Sequence, residues 1–178
     1  MISRDYWLGC IDRLWSQRSI IWLMGVRRSG KTTLSRAIPE THYLDCELAS
    51  TREQLRSYEY FLKNPPASTI ILDEVHKLAN PSEVLKVAAD YYPQLRILAT
   101  GSSSLGASKK FKDTLTGRKN NLWLTPMISA DLRNFGQSDL THRLQSGGLP
   151  PFFLSTQTLE KEFESRLQDY WARDIAEL

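Results

Sequence analysis

Gly25, Val26, Arg27, Arg28, Ser29, Gly30, Lys31 and Thr32 follow the spacing G-x-x-x-x-G-K-[ST], with Thr33 directly behind. Glycines at the two fixed positions let a loop wrap with its amides turned inward, and a helix starting at its end adds the positive end of its dipole. An ammonium at Lys31 then reaches terminal phosphates, and the Thr32 hydroxyl is suited to magnesium. The chemistry these types serve is the binding of a nucleoside triphosphate. The competing account, a glycine turn that happens to precede a helix, is disfavoured by the flanks: an apolar strand pattern before the loop and a helical one after it.

A second run, Thr69-Ile70-Ile71-Leu72-Asp73-Glu74, is an apolar strand ending in two carboxylates. Alone it reads most simply as a solvated strand tip. Downstream of a phosphate loop it reads as a Walker B strand, with Asp73 on the magnesium side and Glu74 placed to take a proton from an attacking water. Arg96 to Ala99 runs into Thr100, Gly101, Ser102, Ser103 and Ser104, where Ser102 is the candidate to orient that water, a serine-rich loop being the even alternative. Arg118 precedes the last strand and is a candidate arginine finger, in cis or from a neighbouring subunit, with an ordinary surface arginine as the rival account.

Positioning these residues takes a sheet. Short apolar runs at Ser19 to Met24, His42 to Leu44, Thr69 to Leu72, Arg96 to Ala99 and Leu122 to Leu124 suit strands buried on both faces. Helical spacing at Thr51 to Leu62 and Ser82 to Tyr92 alternates with them, so the pattern is an α/β fold of about five parallel strands flanked by helices. For the second helix Asn80 is the expected cap, Pro81 suits the first turn, and Glu83 is the capping-box acid. Asn64, Pro65 and Pro66 close off the first. The texture changes after the fifth strand: residues 1–126 read as the core and 127–178 as a helical extension. In the extension, short helical pieces at Ser129 to Phe135 and Asp139 to Gln145 precede a stiff turn at Gly147 to Pro151. A last helix from about Thr158 carries an apolar stripe of Leu159, Phe163, Leu167, Tyr170 and Trp171 that calls for a covering partner or a downstream region.

Taken in order, GVRRSGKTTL (residues 25–34), YLD (43–45), ILDEVHKL (71–78), TGSSS (100–104), LTGR (115–118) and GGLP (147–150) resemble the AAA-type ATPases of the AAA_14 family. The likeness extends to DYWARDIAEL (169–178) and so over essentially the whole chain. It implies a P-loop NTPase core of the AAA+ (ASCE) type, ATP and Mg2+ as cofactors, Glu74 as catalytic base, Ser102 at the sensor position and Arg118 as a finger that would make a homo-oligomer. Family members continue into a winged-helix-like region and a further C-terminal domain. This chain ends before either, which reads as a fragment or truncated product, and a lid-domain arginine sensor is not located in it.

The remaining composition is permissive. At 178 residues, 41% hydrophobic and 24% charged, the chain has the make-up of one folded, soluble domain, and a net charge of +3 allows a nucleic acid without indicating one. The longest apolar run is far too short to span a bilayer, and Cys10 and Cys46 make no disulfide framework, so a cytoplasmic setting without membrane contact is expected. His42, His76 and His142 lack metal-ligand spacing and read as ordinary core or surface histidines, with His76 expected near the nucleotide. Trp7, Trp15, Trp22, Trp123 and Trp171 fall in apolar patterns and read as core. Lys109, Lys110, Lys112, Arg118 and Lys119 form a basic stretch that is more simply a solvated face than a phosphate-backbone contact. The leading reading is magnesium-dependent ATP hydrolysis coupled to conformational switching or partner remodelling. Its rival is a nucleotide-gated module that binds DNA or protein and hydrolyses little. A nucleotide kinase comes third, since no arginine-rich lid is evident.

Overall fold

In β1 (Ile20–Met24), β3 (Thr69–Asp73) and β4 (Arg96–Thr100) every second side chain turns to the same side, and both sides are apolar. In the computed structural model, which describes residues 2–101, 109–155, 163, 164 and 168, these strands join β2 (His42–Asp45) and β5 (Lys119–Trp123) in one parallel sheet. The order is β2-β3-β4-β1-β5. One face of the sheet presents Ile20, Trp22, Ile70, Leu72, Ile97 and Ala99; the other presents Ile21, Leu23, Ile71 and Leu98. Two hydrophobic layers follow directly from this alternation.

After α3 (Ala49–Gln54), the first layer is closed by α4 (Tyr58–Lys63), α5 (Pro81–Tyr91) and α6 (Lys109–Leu115), which contribute Phe61, Leu62, Leu85, Ala88, Phe111 and Leu115. The second is closed by α1 (Asp5–Trp15), through Trp7, Ile11 and Trp15, and by Leu34 of α2 (Lys31–Arg36). Beyond β5 come α7 (Ser129–Asn134), α8 (Leu140–Ser146) and α9 (Pro150–Phe153). Phe163 stacks on Phe152 with ring centroids 4.4 Å apart. Of the anticipated last helix only Phe163, Glu164 and Gln168 are described; Leu159, Leu167, Tyr170 and Trp171 lie outside the described residues.

The structure corrects several local expectations. Strand β5 starts at Lys119 rather than Leu122, because Ile20 to Met24 pair with 119–123 along their whole length. The helix anticipated over Thr51 to Leu62 is two helices split by a 3-10 turn at Leu55–Ser57. Asn80 makes no side-chain cap on α5, and Glu83 bonds the Tyr58 hydroxyl instead of closing a capping box. Part of the stiff turn at Gly147 to Pro151 is the helical turn α9, with proline in its first positions. Trp123 is 50% exposed, on the edge strand, whereas Trp7, Trp15 and Trp22 are core. Helix α1, missed from the sequence, is written in the spacing of Trp7, Ile11 and Trp15. Cys46 is fully buried, and burial with nearby Asp45, Asp73 and Glu74 pushes its thiol up to about 12, which leaves it inert.

Candidate phosphate-binding site

All five strands run in parallel, so the carboxyl ends of β1, β3 and β4 open on one edge of the sheet, where such folds take ligands. Gly25 begins the loop that leaves β1, and Gly30, at φ 93°, precedes the first turn of α2. That backbone region favours glycine. A Cβ on Gly25 would stand 2.4 Å from the Leu124 carbonyl oxygen and 3.0 Å from the Ser29 Oγ. Gly25→Ala is therefore expected to cost at least about 2 kcal/mol, since the obstacle is backbone of the neighbouring strand end. A chemical denaturation midpoint unchanged from wild type would contradict this.

Lys31 folds back across the loop, donating from Nζ to the carbonyl oxygens of Gly25 at 2.9 Å and Val26 at 3.3 Å. Burial pulls this ammonium below the ordinary lysine value, against the opposing pull of Glu74 and Asp73, with Arg27 adding to the depression. The cation is thus held partly desolvated, with its charge incompletely balanced. Arg28 lies over the Phe152 ring at 5.8 Å.

Asp73 is 3% exposed and collects hydroxyls from three elements. Thr32 Oγ1 donates to its Oδ2 at 2.9 Å, the Tyr43 hydroxyl donates to the same oxygen, and Thr100 Oγ1 donates to Oδ1. Register explains Thr100: Leu72 pairs with Ala99, so Asp73 and Thr100 end their strands side by side. Thr100 Oγ1 also accepts the Glu74 amide at 3.0 Å. Glu74 itself sits in the left-handed region, φ 53°, which a residue with a Cβ adopts only when its surroundings hold it there. Its carboxylate meets His76 Nδ1 at 3.1 Å and is one-third exposed. Burial and the bond to Asp73 raise the Tyr43 hydroxyl well above the usual tyrosine value, so it stays a donor.

The loop from Gly25 to Thr33, Asp73 and Glu74 are thus gathered as the sequence implied. Ser102 lies outside the described residues. Arg118 is not gathered: Ile20 pairs with Lys119, so Arg118 lies at the amino end of the sheet, roughly 20 Å of strand from the loop. There its Nε donates to Asp90 Oδ1 at 2.6 Å, and the pairing lowers the Asp90 carboxyl below its ordinary range. Three residues escaped the reading of the sequence in these roles: Thr100, identifiable only from strand register; Tyr43, from the neighbouring strand; and Arg4, described below. The contact of His76 with Glu74 was likewise not read from the sequence.

Beside the loop, a mostly apolar cavity of about 260 Å³ is lined by Gly30, Thr33, Leu34 and Ala37 together with Ile2, Phe135, Pro150, Pro151 and Leu154, and Arg4 is its one charged lining residue. Its apolar walls suit a flat ring. Among the described residues no three His, Cys, Asp or Glu side chains are grouped to hold a metal by themselves. The adjacent Thr32 hydroxyl and buried Asp73 carboxylate instead fit magnesium, a hard cation that takes its other ligands from phosphate and water. No helix among the described residues is long and apolar enough to cross a membrane.

A family model described as an AAA domain matches residues 17–132. No curated protein matches the chain. Solved structures similar to it include a DNA replication initiation factor, 12% identical with a TM-score of 0.49, covering 94% of this chain and 59% of that one. Another is a DNA polymerase III gamma subunit-related protein from Thermotoga maritima, 13% identical with a TM-score of 0.49, covering 92% of this chain and 57% of that one. The chain spans less than three fifths of the length of either.

Proposed function

The chain belongs to the AAA_14 family of AAA domains, and from that premise we propose that it binds ATP with Mg2+ and hydrolyses it, using the cycle to switch conformation. The observation that carries the reading is the cluster at Asp73: the loop threonine, the metal-side carboxylate and the amide of Glu74 are joined through two consecutive hydrogen bonds to Asp73 and one to Thr100. In this reading the core is residues 1–126 and residues 127–178 are the helical extension that the cycle moves.

Each residue has a part. The amides of Gly25 to Thr33 cradle the phosphates, and the Lys31 ammonium, already short of compensating charge, moves from the carbonyls of Gly25 and Val26 to phosphate oxygens. Thr32 and Asp73 hold Mg2+, which supplies charge neutralisation at the phosphates when bound. Glu74 is the general base: His76 and the Thr100 hydroxyl orient it, and one side of its carboxylate stays open to solvent. The apolar cavity by Thr33 takes the base. Ser102 is proposed as a γ-phosphate sensor.

Arg118 lies too far from its own loop to serve it, which favours a finger offered to a second copy of the chain. In the single chain Asp90 holds this guanidinium, so assembly would have to break that pair. The test is Mg2+-dependent ATP turnover by the purified chain across a wide range of protein concentrations. Turnover per chain should rise with concentration and should fall to the dilute value in Arg118→Ala at every concentration. Turnover per chain that is flat in concentration and unaffected by Arg118→Ala would exclude the finger. ATP binding without turnover at any concentration would favour the rival reading, a nucleotide-gated binding module.

A further inference from the structure

Arg4 precedes α1, is 4% exposed and reaches the phosphate loop 25 positions away through the Ser29 carbonyl, beside the apolar cavity it also lines. Its Nε donates to Asp131 Oδ1 at 3.0 Å and its Nη2 to Asp131 Oδ2 at 2.6 Å, a two-point pair with a carboxylate that is fully buried. Asp131 also accepts the Ile128 amide at 2.8 Å and the Trp7 indole N–H at 3.3 Å, so its position at the start of α7 is fixed from three directions. Nη2 donates further to the Thr125 carbonyl oxygen at 3.3 Å, just beyond the end of β5. Nη1 donates to the carbonyl oxygen of Ser29 at 2.9 Å.

Ser29 and Gly30 share that peptide unit. The unit is planar and trans, so its C=O and N–H point in opposite directions. A cation that pins the Ser29 carbonyl behind the loop therefore turns the Gly30 N–H away from Arg4, towards the mouth of the loop. The same contact polarises the peptide and strengthens that N–H as a donor. The glycine that precedes Lys31 has no side chain to hold its orientation, and with φ at 93° its neighbours must supply the restraint. A buried ion pair adds little stability over an apolar pair of the same volume, which makes a positional role the better account of this one.

We propose that Arg4 is a positioning residue for phosphate binding: held by Asp131, it sets the direction of the Gly30 amide through the Ser29 carbonyl. This rests on the loop being a triphosphate site. It also ties the loop mechanically to α7, the first helix after β5, so the two move together.

Three variants separate positioning from simple structural support. Arg4→Lys keeps a charge for Asp131, but a single ammonium does not span Asp131 and Ser29 together. Arg4→Met leaves Asp131 buried and unpaired, and Arg4→Met/Asp131→Asn removes both charges while keeping an acceptor for the Ile128 amide. ATP and inorganic triphosphate affinities are read by calorimetry beside the melting temperature of each chain without ligand. The double variant should recover most of the stability that Arg4→Met loses. Affinity for ATP and triphosphate should nevertheless stay down roughly ten- to hundred-fold in both it and Arg4→Lys, the worth of one charge-assisted hydrogen bond. If affinity returns together with stability in the double variant, or Arg4→Lys binds like wild type, the inference is overturned and the pair is only structural. A wild-type chain that binds neither ATP nor triphosphate overturns the reading of the site itself, and this inference with it.

Discussion

Glu74→Gln is expected to leave ATP binding at least as tight as in the wild-type chain while lowering turnover by about 10²- to 10⁴-fold, the usual share of a general base. The substitution keeps size, keeps the backbone in its left-handed conformation and keeps the amide donated to Thr100 at 3.0 Å. What it removes is the proton-accepting charge beside His76. Taking a carboxylate away from the neighbourhood of a triphosphate also lessens repulsion, which is why affinity should not fall. The two readouts are equilibrium binding of ATP and steady-state phosphate release, measured on the same preparation. Retained turnover would move the base elsewhere; lost binding would mean that Glu74 shapes the loop rather than the water.

How far the sequence carried this picture depended on the range of each interaction. The phosphate loop was legible because its requirements are local: two glycines, a lysine and a hydroxyl at fixed spacing between a strand and a helix. The core strands were legible because burial on both faces leaves short apolar runs. Strand β5 begins earlier than its apolar residues do, since Lys119, Asn120 and Asn121 pair at a sheet edge where polar side chains are tolerated. The partners of Asp73 were only half legible. Thr100 lay in the serine-rich run from which Ser102 was singled out, and only the register of β3 against β4 brings residue 100 beside residue 73. Arg4 and Asp131 were illegible for the same reason at greater range: nothing in either neighbourhood announces a partner 127 positions away. Capping at Asn80 failed in the other direction. The local signal was clear, and the acid that would have closed the box, Glu83, is engaged by Tyr58 instead.

Lys31 supplies the other large effect, because the protein holds this ammonium at a cost. Burial lowers its proton affinity below that of an ordinary lysine, and the carbonyls of Gly25 and Val26, at 2.9 and 3.3 Å, compensate only in part. Between the lowered value and the ordinary one the unfolded chain holds the extra proton, so without nucleotide the contribution of this group to stability improves as pH rises through that window. A triphosphate reverses the balance: its oxygens provide the missing negative charge, and the proton is held more firmly in the complex. Lys31→Ala is therefore expected to lower ATP affinity on the order of 10²-fold or more, the scale of a desolvated charge contact, and to abolish measurable turnover. The same variant without nucleotide should melt no lower than wild type, since the charge it deletes is one the fold disfavours. Together the two measurements distinguish a residue kept for its ligand from one kept for the fold. Loss of affinity matched by a large drop in melting temperature would place Lys31 in the second class, and binding that survives the substitution would remove the phosphate loop from the centre of the reading altogether.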